Sequence, residues 1–393
     1  MIKENLTLAV FPSDDIEEYF KKGEVRKNYY NPNNIFSKIY IFNMSEEKVL
    51  DKKLMQFMCG KAEYEILFIG EHSILKKAFN IKSVAKNVLP KIRDLNPTFI
   101  RTYGMIFNSY IAAYCARHTK IPLIVSLHDN YNGTREIALK TREYANYSFY
   151  VYWKHRYEKY ILDSAEHIIG MYDYAKLYAL DMGMDEKKVS VIYNKVDTDS
   201  FKKKDVKKFD TFTVINIMRQ TWMKRQEILI KAVAPLKDVN LILIGQGPDH
   251  EKLKKLAHDL GCNERVIFIK TVMNKDLPSY YQKSHVFATA VVQRGVGIPV
   301  LESLSVGIPV IHAKYVEEKW SDILSEYAYM VDNTPESFRD AILQLKNHKN
   351  VYKKYEQLGV EFRKKINFDT MSTKEANVYL KILDNAQKSP KNT

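Results

Sequence analysis

Residues 212–248 read FTVINIMRQTWMKRQEILIKAVAPLKDVNLILIGQGP. The apolar, β-branched run FTVINIM passes through a polar turn into a helical pattern starting near Lys224. A second apolar run, NLILIG, then closes on Gly245, Gln246, Gly247 and Pro248. Strand, helix and strand in so short a span is the unit from which parallel sheets are wound.

The alternation extends both ways. Downstream lie RVIFIK, HVFATAV, IPVIHA and YAYMV, with helical segments starting near Asp249, Asp276, Ile298 and Pro335. Upstream lie LTLAVFP, IYIFNM, EILFIG, TFIRTY, PLIVSLH, HIIGMY and VSVIYN. Near-continuous apolar strands such as PLIVSLH suit a sheet covered on both faces. The chain has 393 residues, more than the ~250–300 at which a single core stops growing. The expected fold class is therefore α/β, with two doubly wound Rossmann-like domains. Their expected bounds are residues 1–200 and 201–375, with 376–393 a helix end and a disordered tail, AQKSPKNT. A hinge is expected in the lysine-rich stretch NKVDTDSFKKKDVKKFD, residues 194–210.

Composition excludes several classes. Hydrophobic residues make up 46% and charged residues 27%, and no run approaches the ~18 apolar residues of a membrane span. The start, MIKENLTLAVFPSDD, has no small-residue cleavage site. Cys59, Cys115 and Cys262 are too far apart for a metal knuckle or a redox pair and suit a reducing compartment, so a cytoplasmic protein is expected. The net charge of +14 is uneven: residues 1–200 hold 29 Lys+Arg against 25 Asp+Glu, and residues 201–393 hold 32 against 22. This basic excess is not interleaved with aromatics as a nucleic-acid groove would be, and no nucleic-acid partner is expected. Two readings stay open. One is peripheral contact with an anionic membrane at its inner face, where each Lys or Arg contributes about 1 kcal/mol. The other is a basic surface that serves only solubility.

In open α/β sheets ligands sit beyond the carboxyl ends of the strands. After FTVINIM come Arg219 and, five residues later, Lys224, two cations able to clamp a pyrophosphate and stabilise charge on a departing nucleoside diphosphate. After NLILIG, Gly245 and Gly247 form a turn that lets the chain pass close to a ligand. After HVFATAV, the segment from Arg294 to Glu302, RGVGIPVLE, places Gly295 and Gly297 before a helix starting near Ile298, with Pro299 in its first turn. Its free amides would face phosphates, and Glu302 would accept from ribose hydroxyls. Each feature alone has a plainer reading: surface cations, ordinary turn glycines, a loop-to-helix junction.

Taken in order, Met218-Arg219 with Lys224, IGQGP, DLPSYYQKSHVF and RGVGIPVLESLSVGIPVI resemble the donor half of the family 4 retaining glycosyltransferases of GT-B fold. The first half resembles the same family more loosely, through SLHDN and through SAEHIIGMY followed by KKVSVIYNKVDTDSF. The resemblance implies two Rossmann-like domains facing across a cleft. It also implies a hexosyl-type transferase that moves a sugar from a nucleotide-diphosphate donor to a glycan or lipid-linked acceptor. By analogy, Arg219 and Lys224 hold the diphosphate, Glu302 the ribose, and amides near Val300 and Leu301 the phosphate oxygens, while His128 faces the transferred sugar. No metal and no other cofactor is implied.

The chain departs from the family pattern at several points. Arg294 stands where the family has its first Glu, Met218 and Gln246 replace Gly and Asp, Lys195 replaces the Gly of Asn-Gly at the junction, and only Gly23 remains of an N-terminal glycine-rich loop. An arginine facing the sugar suits an acidic sugar such as a uronic acid. Two rivals follow: a nucleotide-sugar-binding protein without turnover, and a GT-B epimerase of the bound nucleotide sugar. Release of nucleoside diphosphate with an acceptor separates the first, and identification of the product separates the second.

Overall fold

The computed structural model describes residues 5–22, 25–70, 74–140, 156–292, 295–314 and 323–388. Each apolar run of the sequence is a strand. In the first unit these are β1 (Thr7–Phe11), β2 (Lys38–Asn43), β3 (Glu63–Phe68), β4 (Phe99–Tyr103), β5 (Leu123–Leu127), β6 (His167–Gly170) and β7 (Val189–Val191). They form a 7-stranded sheet in the order β3-β2-β1-β4-β5-β6-β7, and every pairing is parallel. The second unit holds β8 (Phe212–Ile217), β9 (Val239–Ile244), β10 (Val266–Ile269), β11 (Val286–Thr289), β12 (Val310–Ala313) and β13 (Tyr329–Val331). Its 6-stranded sheet runs β10-β9-β8-β11-β12-β13, again wholly parallel. Central strands such as β4, β5 and β11 are buried along their whole length, as sheets covered on both faces require.

The chain divides into Met1–Tyr193 with Met371–Thr393, and Asn194–Thr370. The expected boundary at residue 200 therefore moves to Tyr193–Asn194. The reason lies in the lysine-rich stretch read as a hinge, which is fastened to the second unit. Arg363 Nη2 donates to Thr198 O (2.8 Å), Ser305 Oγ to Phe201 O (2.5 Å) and Gln282 Nε2 to Lys202 O (2.8 Å). Phe201 is buried, and burial holds the Lys208 ammonium down to about 8 while it donates to Ser284 O at 2.6 Å.

The C-terminal segment also differs from expectation. The helix Phe368–Lys388 runs on through Ala386, Gln387 and Lys388, into the stretch expected to be disordered, and residues 389–393 lie outside the described residues. From Met371 onward it belongs to the first unit. There Arg101, fully buried on β4, has Nη2 3.3 Å from Glu375 Oε1 and 2.6 Å from Ser126 Oγ, while Nη1 donates to Tyr379 OH at 3.2 Å. A charge in an apolar strand must be paired, and removing one partner of such a pair typically costs about 3–5 kcal/mol.

Both sheets reverse strand order beside their first strand, between β1 and β4 and between β8 and β11. These reversals open the crevices where doubly wound sheets take ligands. In the first unit the crevice is filled from within. Asn108, in the first turn of the helix Phe107–Thr119, donates from Nδ2 to Phe11 O (3.0 Å) and Pro12 O (2.6 Å). Ser109 Oγ lies 2.9 Å from Thr102 Oγ1 and 2.9 Å from Gly104 O.

Candidate functional site

In the second unit the corresponding crevice is built differently. The Met218 amide donates to Ile244 O (3.0 Å), which fixes the chain as it leaves β8. Its thioether accepts from Thr289 Oγ1 at the end of β11 (3.4 Å), and its Cε lies 3.9 Å from where a Cβ on Gly297 would sit. The Val292 amide donates to Met223 O at 3.0 Å. Buried Asn216 and Gln226 complete the seam: Asn216 Nδ2 donates to Ala288 O (2.8 Å), and Gln226 Nε2 lies 3.3 Å from Arg219 O. The loops after β8 and β11, which sequence spacing treats separately, are thus held side by side.

Arg219 is exposed on this loop, and its side chain makes no hydrogen bond or ion pair among the described residues. Lys224 closes a 3-10 turn, Trp222–Lys224, two residues before the helix Gln226–Val233, and is half-buried.

Gly245 and Gly247 have a role that spacing did not show. A Cβ on Gly245, whose φ is +136°, would lie 2.2 Å from Met218 O, and one on Gly247 would lie 2.0 Å from Gln220 O. The space these glycines leave is filled by the backbone of residues 218–220. Gln220 N donates to Gln246 O (2.9 Å), Asp249 N to Gln220 O (3.2 Å), and His250 Nδ1 to Gln220 Oε1 (2.6 Å). The glycine turn is a bed for the arginine-bearing loop.

The helix Ile298–Val306 begins after Gly297, with Pro299 in its first turn. The Val300 and Leu301 amides, expected to face phosphates, both donate to Gly297 O, at 3.0 and 3.3 Å. They are used by the helix itself, because the first turn closes on its cap residue. The Gly297 and Ile298 amides, three positions earlier, donate to nothing among the described residues. Gly295, with φ +122°, leads into them. Glu302 is 8% exposed, and its Oε2 accepts from Tyr281 OH at 2.9 Å. Burial first, and the neighbouring Glu302 second, hold the Tyr281 phenol well above its usual range.

In the first unit His128 follows β5. Its Nε2 is shielded and has no hydrogen-bond partner among the described residues, and Tyr172 OH donates to its carbonyl at 2.7 Å. Burial, then the charges of Arg101 and Arg26, push its imidazole down to about 4, so the ring is neutral at pH 7. Gly23, Gln293 and Arg294 lie outside the described residues.

The residues that sequence reasoning missed are Tyr281, which orients Glu302, and the Gln220–His250 pair. Asn216 left a signal: a polar side chain inside an otherwise apolar strand needs a buried partner. Among the described residues no cluster of His, Cys, Asp and Glu could hold a metal ion, and no helix is long and apolar enough to cross a membrane.

Comparison with known proteins follows the same division. Residues 197–364 match the family model described as glycosyl transferases group 1, and residues 63–200 that described as glycosyltransferase family 4. The chain is similar to the GDP-mannose-dependent alpha-(1-6)-phosphatidylinositol monomannoside mannosyltransferase of Mycolicibacterium smegmatis, 33% identical over 113 residues, 26% of this chain and 30% of that protein. It is also similar to the lipopolysaccharide core biosynthesis glycosyltransferase LpsE of Rhizobium meliloti, 32% identical over 170 residues, 42% of this chain and 49% of that one. The matched segments span less than half of either relative's length. In fold the chain is similar to Anabaena HepE in complex with UDP and glucose, with a TM-score of 0.70 at 15% identity, covering 95% of this chain and 99% of that one.

Proposed function

We propose that this chain, a family 4 glycosyltransferase of GT-B fold, moves a sugar from a nucleotide-diphosphate donor to a glycan or lipid-linked acceptor with retention of anomeric configuration. The observation that carries this reading is the β8/β11 crevice. There the unpaired Arg219, the turn bearing Lys224 and the free amides of Gly297 and Ile298 are held side by side.

In this reading the guanidinium, the ammonium and the two amides take the donor diphosphate, with a helix N-terminus adding about half a positive charge. As the glycosidic bond breaks, negative charge grows on the leaving phosphate, and fixed cations stabilise it without reorganising. The same phosphate accepts the acceptor's proton as the acceptor oxygen attacks from the face it leaves, which retains the anomeric configuration. Glu302, oriented by Tyr281, takes ribose hydroxyls, and neutral His128 offers its ring to a sugar hydroxyl. Gly245 and Gly247 position Arg219 without touching substrate.

Two finer points belong to the same proposal. Arg294, where the family pattern has a glutamate, selects an acidic sugar. The acceptor is lipid-linked, by similarity to a phosphatidylinositol monomannoside mannosyltransferase and to a glycosyltransferase of lipopolysaccharide core biosynthesis, and the enzyme works at the cytoplasmic face of an anionic membrane.

The test is a thermal-shift panel of UDP-, GDP-, ADP- and CMP-sugars that includes uronic acids. A ligand at 100 times its Kd stabilises by about 2.7 kcal/mol. Binding of one donor, followed by nucleoside diphosphate release with acceptor, supports the reading, and silence across the panel overturns it. If Arg294→Glu keeps full activity with an acidic donor, the selection of that donor by Arg294 is refuted.

A further inference from the structure

Along the edge strand β7 and the amino end of β6 lies a cleft of about 760 Å³. One wall is the turn before β7 together with β7 itself, and the other is a face of the helix Phe368–Lys388. Buried Ile192 and Val378 give it an apolar floor. Lys187 and Lys188 stand exposed on one side, and Lys374 and Lys381 on the other.

Lys48, Lys159 and Lys176 each pair with a carboxylate, and Glu186, beside Lys187 in sequence, is taken by Lys176 at 2.6 Å. The four ammonium groups of the cleft make no ion pair or hydrogen bond among the described residues. Glu166 and Asp185 are the only carboxylates in its described lining, so four positive charges face two negative ones. His167, the first residue of β6, has Nε2 2.9 Å from Ser190 Oγ, and burial followed by Arg101, Lys381 and Lys188 holds its imidazole down to about 4. Lys381 and Lys188 of the cleft thus act on His167 in the same direction as its burial.

Ammonium groups that outnumber the carboxylates beside them match a compact, multiply charged oxyanion, for which lysine is a point-charge ligand. The apolar floor gives whatever carries that anion a surface to lie on, and the volume is that of an ordinary small-molecule site. The cleft starts at the amino end of β6 and runs along the edge strand β7, away from the crevice beside β1 where a doubly wound sheet takes its ligand.

We propose that this cleft is a second binding site, for a phosphate-bearing ligand, with the phosphate between Lys188 and Lys381 and the attached group over Ile192 and Val378. The phosphate belongs either to a soluble phosphorylated sugar or to the headgroup of an anionic lipid, and the ligand acts by anchoring or regulation rather than by turnover.

The full chain with isotopically labelled histidine is titrated by NMR with and without inorganic pyrophosphate. A bound anion opposes the lysine field, so the His167 pKa rises by about one unit or more. In parallel the protein is co-sedimented with phosphatidylglycerol vesicles, with phosphatidylcholine vesicles as control. A pyrophosphate response alone identifies the soluble source, and selective sedimentation with phosphatidylglycerol identifies the lipid. Lys188→Gln with Lys381→Gln weakens the observed binding about tenfold or more, while donor-induced thermal shift is unchanged. Lys187→Gln with Lys374→Gln gives a smaller loss. The proposal is overturned if neither probe moves His167 or sediments the protein, or if both double variants bind as the parent does.

Discussion

The two sheets run through the same order, β3-β2-β1-β4-β5-β6 in the first unit and β10-β9-β8-β11-β12-β13 in the second, and each opens a crevice beside its first strand. The crevices are furnished in opposite ways. In the first, Asn108 spans the gap and occupies the carbonyls of Phe11 and Pro12. In the second, the equivalent place holds Gly297 and the Met218 thioether, which bring the loops together without consuming the amides of Gly297 and Ile298. Topology supplies a place for a ligand twice; whether it becomes an anion site depends on whether the chain's own side chains have already satisfied its polar groups.

The comparison breaks most sharply at Arg219. Arg219→Ala should lower turnover by about 10²–10³-fold, the loss expected for a group that stabilises transition-state charge, with the melting temperature unchanged because the side chain is exposed and unpaired. Retained turnover would remove the second crevice from the chemistry.

Next come two glycines that look alike in sequence. Gly247→Ala forces a Cβ to 2.0 Å from Gln220 O and should cost about 3 kcal/mol in denaturant titration, at the upper end for overpacking, with weakened donor binding as the 218–220 loop shifts. Gly297→Ala meets Pro299 Cδ at 3.8 Å and Met218 Cε at 3.9 Å, which are ordinary contacts. Its stability should stay within roughly 0.5 kcal/mol of the parent.

Asn108→Ala probes the filled crevice. Two buried carbonyls lose their donor, and the expected cost is about 1–2 kcal/mol with donor KM unchanged. A change in donor KM would mean that the first crevice also serves the nucleotide.

Acid should affect the two units alike. His128 and His167 in the first, and His285 and His312 in the second, are each held down to about 4, against an unfolded value of about 6.5. Between those values the unfolded chain binds protons that the folded chain refuses, so their contribution is intact above pH 6.5 and lost as pH falls towards 4. Hydrogen exchange followed through that window should show protection falling in both units; loss confined to one would show that the histidines of the other are not held in this way.

The strands of both sheets were legible because each is a compact apolar run bounded by turn residues. The helix start at Ile298 and the cations at Arg219 and Lys224 were legible because they sit within a few residues of a strand end. What escaped depends on contacts between distant segments. The use of Gly245 and Gly247 needs the loop after β8 against the turn after β9. The amides had to be assigned by helix register, which moved the free ones from Val300 and Leu301 to Gly297 and Ile298. The lysine-rich stretch at 194–210 has the composition of a linker, but Ser305, Gln282 and Arg363 cap its carbonyls, and none of them is near it in sequence. Arg101, a charge inside the apolar run TFIRTY, is a signal of the same kind as Asn216, and its partners Glu375 and Tyr379 come from the far end of the chain.

That partner has a consequence for how the protein is made. Arg101 and Tyr379 are 278 positions apart, with the whole second unit synthesised between them. Translation ordinarily lets the first domain finish before the next emerges. Here β4 carries a buried cation whose counter-charge, Glu375, reaches the ribosome exit only after residues 194–370 have passed through it. The unit that starts first therefore finishes last, and a nascent chain halted anywhere within the second unit leaves Arg101 in the first sheet without Glu375 and Tyr379.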